Sequence, residues 1–285
     1  MLFLVHYIVF AALAHRYSFA SDGSDAVAGG GWAISLLGGA VVSGGRLQLT
    51  SASSGAYASL PSNIVAGLPS FTIELWVTAT GCASPGWCRL FQFGTIPGNN
   101  QNSVALINNA NTNFLSLQFE DQYGGFNLQD TTVLFSSLVN AHVVLVLSEG
   151  QVGNLYVNGV RFTSAFTISI PGSPYFYVGS SIDAVDDPML VGSIDELRIW
   201  SVALQPSDVA AHYSAGPDDP SLGNNLSYLL CGLEFSISCF CTVPLSFLFL
   251  FHSSIFCHVS ATLNSLCHPF SSYRLSFSFC ISFLT

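Results

Sequence analysis

Across residues 26–217 apolar side chains recur at every second position in short runs, and Gly, Pro, Asn and Ser interrupt them. Period two puts successive side chains on opposite faces of an extended strand. Many such runs with turn residues between them close as an antiparallel sandwich or barrel. Long helical crossovers, which parallel strands need, are missing from the pattern. The fold class expected is therefore all-β: an antiparallel two-sheet jelly-roll sandwich, with one short helix near its C-terminal end.

Individual runs support this. Phe71, Ile73, Leu75 and Val77 share one face, and Thr72, Glu74, Trp76 and Thr78 the other. Trp76 is the exception on the polar side and is expected beneath a loop or second layer. Further strands fall at 46–50, 89–93, 103–107, 114–119, 175–178 and 194–200. Val143, Leu145 and Leu147 form an inward row, but His142, Val144 and Val146 make the reverse face nearly apolar too, so that strand should be central and covered. In the last strand Ile194, Glu196, Arg198 and Trp200 alternate with Asp195, Leu197 and Ile199. Asn158-Gly159 marks a tight hairpin, since both residues tolerate positive φ. Gln205-Pro206-Ser207-Asp208 opens a helix running to about Tyr213, with proline suited to its first turn, and Gly216-Pro217 stops it.

Both ends depart from this pattern. Residues 2–14 are almost uninterruptedly apolar, and Ser18-Phe19-Ala20 then offers a small-x-small site. Residues 1–20 read as a secretory signal peptide cut after Ala20, the alternative being a buried N-terminal strand or helix. Export implies an oxidising compartment. Residues 227–285 carry only two charges, Glu234 and Arg274, and six of the eight Cys. Three readings compete for this hydrophobic Ser/Phe/Cys-rich tail: a membrane anchor centred on 235–251, a disulfide-rich appendage, or a segment without defined structure. Its Cys239-x-Cys241 and Cys257-His258 patterns match no zinc spacing.

Charge narrows the partners. The chain has six cations, all Arg, against 16 acidic residues, for a net charge of −10. Nucleic acid and anionic membrane surfaces need clustered cations, so neither is an expected partner. A heparin-like polyanion is disfavoured for the same reason. Cys82 and Cys88 flank a turn of five residues. They either form a disulfide, which should stabilise by roughly 2–3 kcal/mol, or stand as free thiols on adjacent strands.

Three segments resemble the laminin-G-like, concanavalin A-like jelly rolls. Phe71-Thr72-Ile73-Glu74-Leu75-Trp76-Val77 looks like the strand that opens their core. Asn154-Leu155-Tyr156-Val157-Asn158-Gly159-Val160 resembles their L-Y-V-N-G hairpin. The run from Gly192 through Ile194-Asp195-Glu196-Leu197-Arg198-Ile199-Trp200 to Leu204 resembles their closing strand. Order and spacing agree, and the domain is placed at 24–217. The resemblance implies a stable scaffold whose concave face or rim loops bind glycans or other extracellular molecules. It does not by itself imply a reaction.

Some relatives on this scaffold are glycosidases, which need two carboxyl groups about 5–5.5 Å apart for retaining hydrolysis. The Glu-x-Asp-x-Glu run of the related glucanases is absent here. Asp195 and Glu196 are adjacent and face opposite ways unless the strand is bulged, and Glu74 stands alone on its strand. His142 reads as a satisfied structural residue. A catalytic role is therefore not expected.

Calcium is the remaining chemical candidate. Loop carboxylates with backbone carbonyls supply its oxygen ligands. The acidic loop Ser181-Ile182-Asp183-Ala184-Val185-Asp186-Asp187-Pro188 resembles in placement the calcium loop of pentraxins, which points to Asp183, with Asp187 as a second candidate. Glycan binding needs an aromatic platform beside polar groups, and Trp87, Tyr123, Phe126, Tyr175 and Tyr177 in or near loops are its candidates. Asn225-Leu226-Ser227 is an N-glycosylation sequon. The sequence thus predicts a secreted or surface-displayed recognition or adhesion module for a glycan or extracellular protein, with calcium as a candidate cofactor and the tail as a candidate membrane attachment. A glycoside hydrolase or lyase, and a structural cell-surface module, are the alternatives.

Overall fold

The computed structural model describes residues 13–50, 55–95, 102–120, 126–148, 152–167, 174–182, 187–219, 257–259 and 279–281. The chain divides into a unit at residues 1–223 and another at 224–285. In the second, Cys257–Val259 and Phe279–Ile281 pair antiparallel. Asn225 and the candidate span 235–251 lie outside the described residues.

In the first unit the early strands are β1 (Leu13–Tyr17), β2 (Ser35–Leu37), β3 (Val41–Ser43), β4 (Arg46–Leu49) and β5 (Tyr57–Ser59). The middle ones are β6 (Ser70–Cys82), β7 (Arg89–Gly94), β8 (Ser103–Asn108), β9 (Phe114–Glu120) and β10 (Phe126–Leu134). Then follow β11 (Ala141–Ser148), β12 (Val152–Val157), β13 (Val160–Thr167), β14 (Tyr175–Val178), β15 (Leu190–Trp200) and helix α1 (Pro206–Ala215).

Among the described residues these strands make two antiparallel sheets. One runs β13-β12-β11-β6-β15-β4-β3, with β1 added beside β15, and the other β10-β9-β8-β7-β14-β5-β2. The expected two-sheet sandwich is what forms. Phe71, Ile73, Leu75 and Val77 of β6 and Val143, Leu145 and Leu147 of β11 enter one core with Phe91, Phe93, Leu117 and Phe176 of the facing sheet. Removing such side chains from water is the main favourable term in folding. β11 is interior, between β6 and β12. Its reverse face is covered as expected: Val144 and Val146 pack with Tyr156, Trp200, Leu204 and Val209 of α1.

The last strand corrects the sequence reading. Pairing of β15 with β6 shifts between Ile194 and Glu196, which leaves Asp195 as an extra residue. A bulge of this kind reverses the parity of the strand. Ile194 therefore joins Leu197 and Ile199 in the core, and does not share a face with Glu196, Arg198 and Trp200. Asp195 and Glu196 turn to different cations, Arg46 and Arg16.

At ten residues α1 is too short to stand alone in water. Gln205 and Asp208 close a reciprocal capping box at its start, and the backbone N–H of Gly216 bonds back to His212 at its end. The N-terminal segment bears on the two readings of residues 1–20. β1 lies against β15, Tyr17 and Phe19 are fully buried, and a cut after Ala20 would remove both from the core.

Candidate functional site

The two sheets present different outer faces. On the β6 sheet, Thr72, Glu74 and Trp76 stand beside Glu196, Arg198 and Trp200 of β15 and His142 of β11. This face is closed. Glu74 is fully buried and accepts from His142 Nε2 at 2.8 Å, His212 Nδ1 at 3.0 Å and Trp200 Nε1 at 2.7 Å. Burial alone would raise its pKa, but the hydrogen bonds and charge of the two histidines outweigh that and hold it at about 2. An ionised carboxylate only accepts, so the facing histidine nitrogens carry hydrogens. His142 stacks on Trp76 at 4.4 Å, while its Nδ1 has no partner among the described residues. The structural role expected for His142 is the one it fills, and Trp76 is buried against His142 and Arg198 of the neighbouring strands.

Beside this hub lies a second buried polar group. Glu196 Oε1 accepts from Arg16 Nε at 2.5 Å and Arg198 Nε at 2.9 Å. Arg198 also donates to the backbone oxygens of Pro217 and Asp219, and its guanidinium lies 4.9 Å from the Trp76 ring centre. These carboxylates are consumed in holding β1, β6, β15, α1 and the segment after α1 together.

The outer face of the other sheet is the open candidate. Phe176 and Val178 point into the core, so Tyr175 and Tyr177 point out. Tyr177 pairs with Ser59 of β5, and Ser59 with Ser35 of β2. Tyr57 lies two residues from Ser59 on the same face, and its ring centre is 5.1 Å from that of Tyr177. The three tyrosines are half-buried and the neighbouring Ser35 is exposed. Burial raises the Tyr177 pKa, and Tyr57 and Tyr175 raise it further. Next to Tyr177 across β7, Gln92 is buried and its Oε1 accepts from Ser181 Oγ and Ile182 N, so the segment after β14 folds over that part of the face. The structure thus gathers Tyr175 and Tyr177 with Tyr57, which sequence reasoning had not singled out. The available signal was slight: in Ala56-Tyr57-Ala58-Ser59 only Tyr57 favours a strand, and the run is short.

The remaining sequence candidates are scattered. Trp87 precedes β7, whereas Tyr175 pairs with Gly94 at the opposite end of that strand. Phe126 is the first residue of β10, and its side chain lies outside the described residues. Tyr123 and Asp183 are outside the described residues. Cys82 and Cys88 form a disulfide. Their loop, the β8–β9 turn and Phe135 line a depression of about 460 Å³ that does not include Trp87. Asp187 is engaged: its Oδ2 accepts from Arg89 Nη1 at 2.5 Å, and the same nitrogen donates to the Trp87 carbonyl. A dication placed on Asp187 would meet that guanidinium, so Asp187 does not fit a calcium ligand. No group of three or more His, Cys, Asp or Glu suited to a metal occurs among the described residues.

A family model described as the concanavalin A-like lectin/glucanases superfamily matches residues 52–210. The chain belongs to this superfamily. Among solved structures it is similar to domain 4 of AbnA, an extracellular arabinanase from Geobacillus stearothermophilus determined with arabinotriose. Identity is 22% and the TM-score 0.55, over 70% of this chain and 98% of that domain. It is also similar to Trypanosoma rangeli sialidase in complex with sialic acid, at 17% identity and TM-score 0.53, over 71% of this chain but 32% of the sialidase. The binding domain of the paraclostridial mosquitocidal protein 1 follows at 14% identity and TM-score 0.55, over 72% of this chain and 52% of that one. No curated protein sequence matches the chain significantly. At these identities the structural likeness carries the superfamily's jelly-roll fold alone. Among the described residues no helix is long and apolar enough to cross a membrane.

Proposed function

We propose that this chain is a non-catalytic extracellular recognition module that binds an uncharged glycan on the outer face of the β7 sheet, at Tyr57, Tyr175 and Tyr177. The observation carrying the reading is the cluster of three half-buried tyrosines on an exterior sheet face with serine hydroxyls beside it. Aromatic rings offer apolar faces to the C–H surface of a sugar, and hydroxyls meet its polar edge. Among the described residues the polar groups at the centre of the opposite sheet's outer face, Glu74, Glu196 and Arg198, are instead buried in contacts with α1, β1 and the segment after α1. A net charge of −10 favours a neutral ligand over an anionic one.

The arabinotriose in the arabinanase domain makes neutral arabino-oligosaccharides the first probes. Isothermal titration against a panel of neutral oligosaccharides should give saturable heat without product release. Tyr177→Ala should weaken that binding by about tenfold or more while the fold is retained. No binding across the panel, or binding indifferent to Tyr177→Ala, overturns the reading, and released product moves it to a hydrolase. Secretion belongs to the same reading, as do occupancy of Asn225, surface attachment through the tail and any calcium assistance through Asp183. Intact mass and fractionation of the native product, with a calcium titration repeated on Asp183→Ala, test them.

A further inference from the structure

The tyrosine face has a long axis. Tyr175 and Tyr177 share one side of β14, two residues and so roughly 6–7 Å apart along the strand. On the β7 side they stand opposite Gly94 and Gln92, and a wall covers both of those residues. Gln92 Oε1 accepts from Ser181 Oγ at 3.2 Å and from Ile182 N at 3.3 Å. A Cβ built on Gly94 would lie 3.0 Å from Ile182 Cδ1. Ser180, Ile182 and Gln92 are all buried. The wall therefore follows β14 past both rings.

The other side is exposed. Tyr177 pairs with Ser59 and Ser59 with Ser35, which is open to solvent. Leu37 lies opposite Tyr57 and is 38% exposed. Beside Tyr175, the exposed Ser62 donates to the Pro174 carbonyl at 2.9 Å. The rings fall into two positions along this trough. Tyr57 and Tyr177 have centres 5.1 Å apart and planes inclined at 52°, so they make one joint surface. Tyr175 is the second position, farther along the strand than one sugar ring spans. Serine hydroxyls accompany each: Ser59 and Ser35 the first, Ser62 the second.

We infer that this face takes a linear neutral oligosaccharide lying along β14, with one sugar on the Tyr57–Tyr177 pair and the next on Tyr175. The smallest ligand that fills it is a disaccharide. The inference rests on the glycan reading above and adds the length and direction of the ligand. A single sugar on the first position forgoes the Tyr175 ring and its apolar face. A chain laid across the strands meets the Ser180–Ile182 wall.

The test is isothermal titration of the full chain with mono- and disaccharides of arabinose, xylose, glucose and mannose. In a series that binds, the disaccharide should bind at least about tenfold tighter than the monosaccharide, the scale of one central aromatic contact. Tyr175→Ala should erase that difference and leave the monosaccharide affinity unchanged, whereas Tyr175→Phe, which keeps the ring, should retain it. Tyr175→Leu fills the space without a ring and gives the same reading should the alanine variant not fold. Tyr177→Ala should weaken both lengths. Equal affinity for the two lengths while Tyr177→Ala still weakens both, or a length gain that survives loss of the Tyr175 ring, overturns this inference and leaves the glycan reading standing. Absence of Tyr177-dependent binding at either length overturns both.

Discussion

His212 Nδ1 and Glu74 Oε1 stand 3.0 Å apart, and this contact fastens α1 to the middle of β6. His142 from β11 and Trp200 from β15 donate to the same carboxylate. One buried charge therefore ties four elements, and removing it strands three donors without an acceptor. Breaking a buried ionic group by deleting one partner costs about 3–5 kcal/mol. Glu74→Ala should lower stability by that order in chemical denaturation, with α1 amides losing exchange protection first.

The same carboxylate predicts acid sensitivity. Its folded pKa of about 2 is below its ordinary value of 4.5. Below 4.5 the unfolded chain takes up a proton that the folded chain refuses, so stability falls as pH falls. The contribution is complete above pH 4.5, declines toward pH 2 and amounts to about 3 kcal/mol. Denaturation midpoints at stepped pH should show this slope in the native protein, and Glu74→Gln should flatten it. An unchanged slope would mean that other groups dominate acid unfolding.

Much of this fold was legible because alternation is local. Phe71 to Val77 and Val143 to Leu147 sort their side chains by parity, and no distant information is needed to say which row faces inward. The Asp195 bulge was not legible, since the register shift depends on how β6 lies alongside. Glu74 looked solitary for a similar reason: its partners are 68, 126 and 138 residues away. Edge strands were the other loss. β10, Phe-Asn-Leu-Gln-Asp-Thr-Thr-Val-Leu, loses its alternation after Asp130, where its register against β9 shifts and Asp130 bonds Ser116, Asn109 and Thr112. At the candidate site, Tyr175 and Tyr177 were visible as aromatics, but only pairing of β14 with β5 brings Tyr57 to them.

Gly192 should be irreplaceable for a steric reason. A Cβ built there would lie 2.1 Å from the backbone oxygen of Thr78. The obstacle is backbone of the neighbouring strand, at a register shift between Val191 and Gly192, and cannot swing aside. Gly192→Ala should cost about 3 kcal/mol by overpacking, read as a lower urea midpoint at unchanged slope. A loss below ~0.5 kcal/mol would place it among ordinary surface substitutions and show that β6 and β15 can part there.

Arg198 should not be exchangeable for lysine. Its guanidinium spreads donors to Glu196, Pro217 and Asp219 while stacking over Trp76. A lysine ammonium is a point charge without that planar fork. Arg198→Lys should destabilise by about 2 kcal/mol or more and increase amide exchange at Gly216, Asp218 and Asp219. Native-like stability in the variant would show that the fork is dispensable.

Asp187 should be silent toward calcium. Arg89 Nη1 is 2.5 Å from its Oδ2, and Arg89 itself is buried. If calcium heat is found at all, Asp187→Asn should leave the affinity within about twofold while lowering thermal stability, because a buried cation loses its counter-charge. A tenfold loss of calcium affinity in Asp187→Asn would instead mean that the Arg89 pair opens to admit the ion.

The tyrosine face predicts coupled rather than additive effects. Tyr57 and Tyr177 rings are in contact at 5.1 Å between centres, on strands that are hydrogen-bonded neighbours. Removing either ring takes a wall from the platform and a packing partner from the other. Single Tyr57→Ala and Tyr177→Ala substitutions should each weaken neutral-glycan binding by about tenfold or more, the usual scale for a central aromatic contact. The double variant should lose clearly less than the product of the two, because residues in contact do not contribute independently. Both singles should keep the native near-ultraviolet spectrum of the buried core. Strict additivity in titration calorimetry would show that the two rings serve separate ligand contacts, and a null effect of Tyr57→Ala would move the platform to Tyr175 and Tyr177 alone.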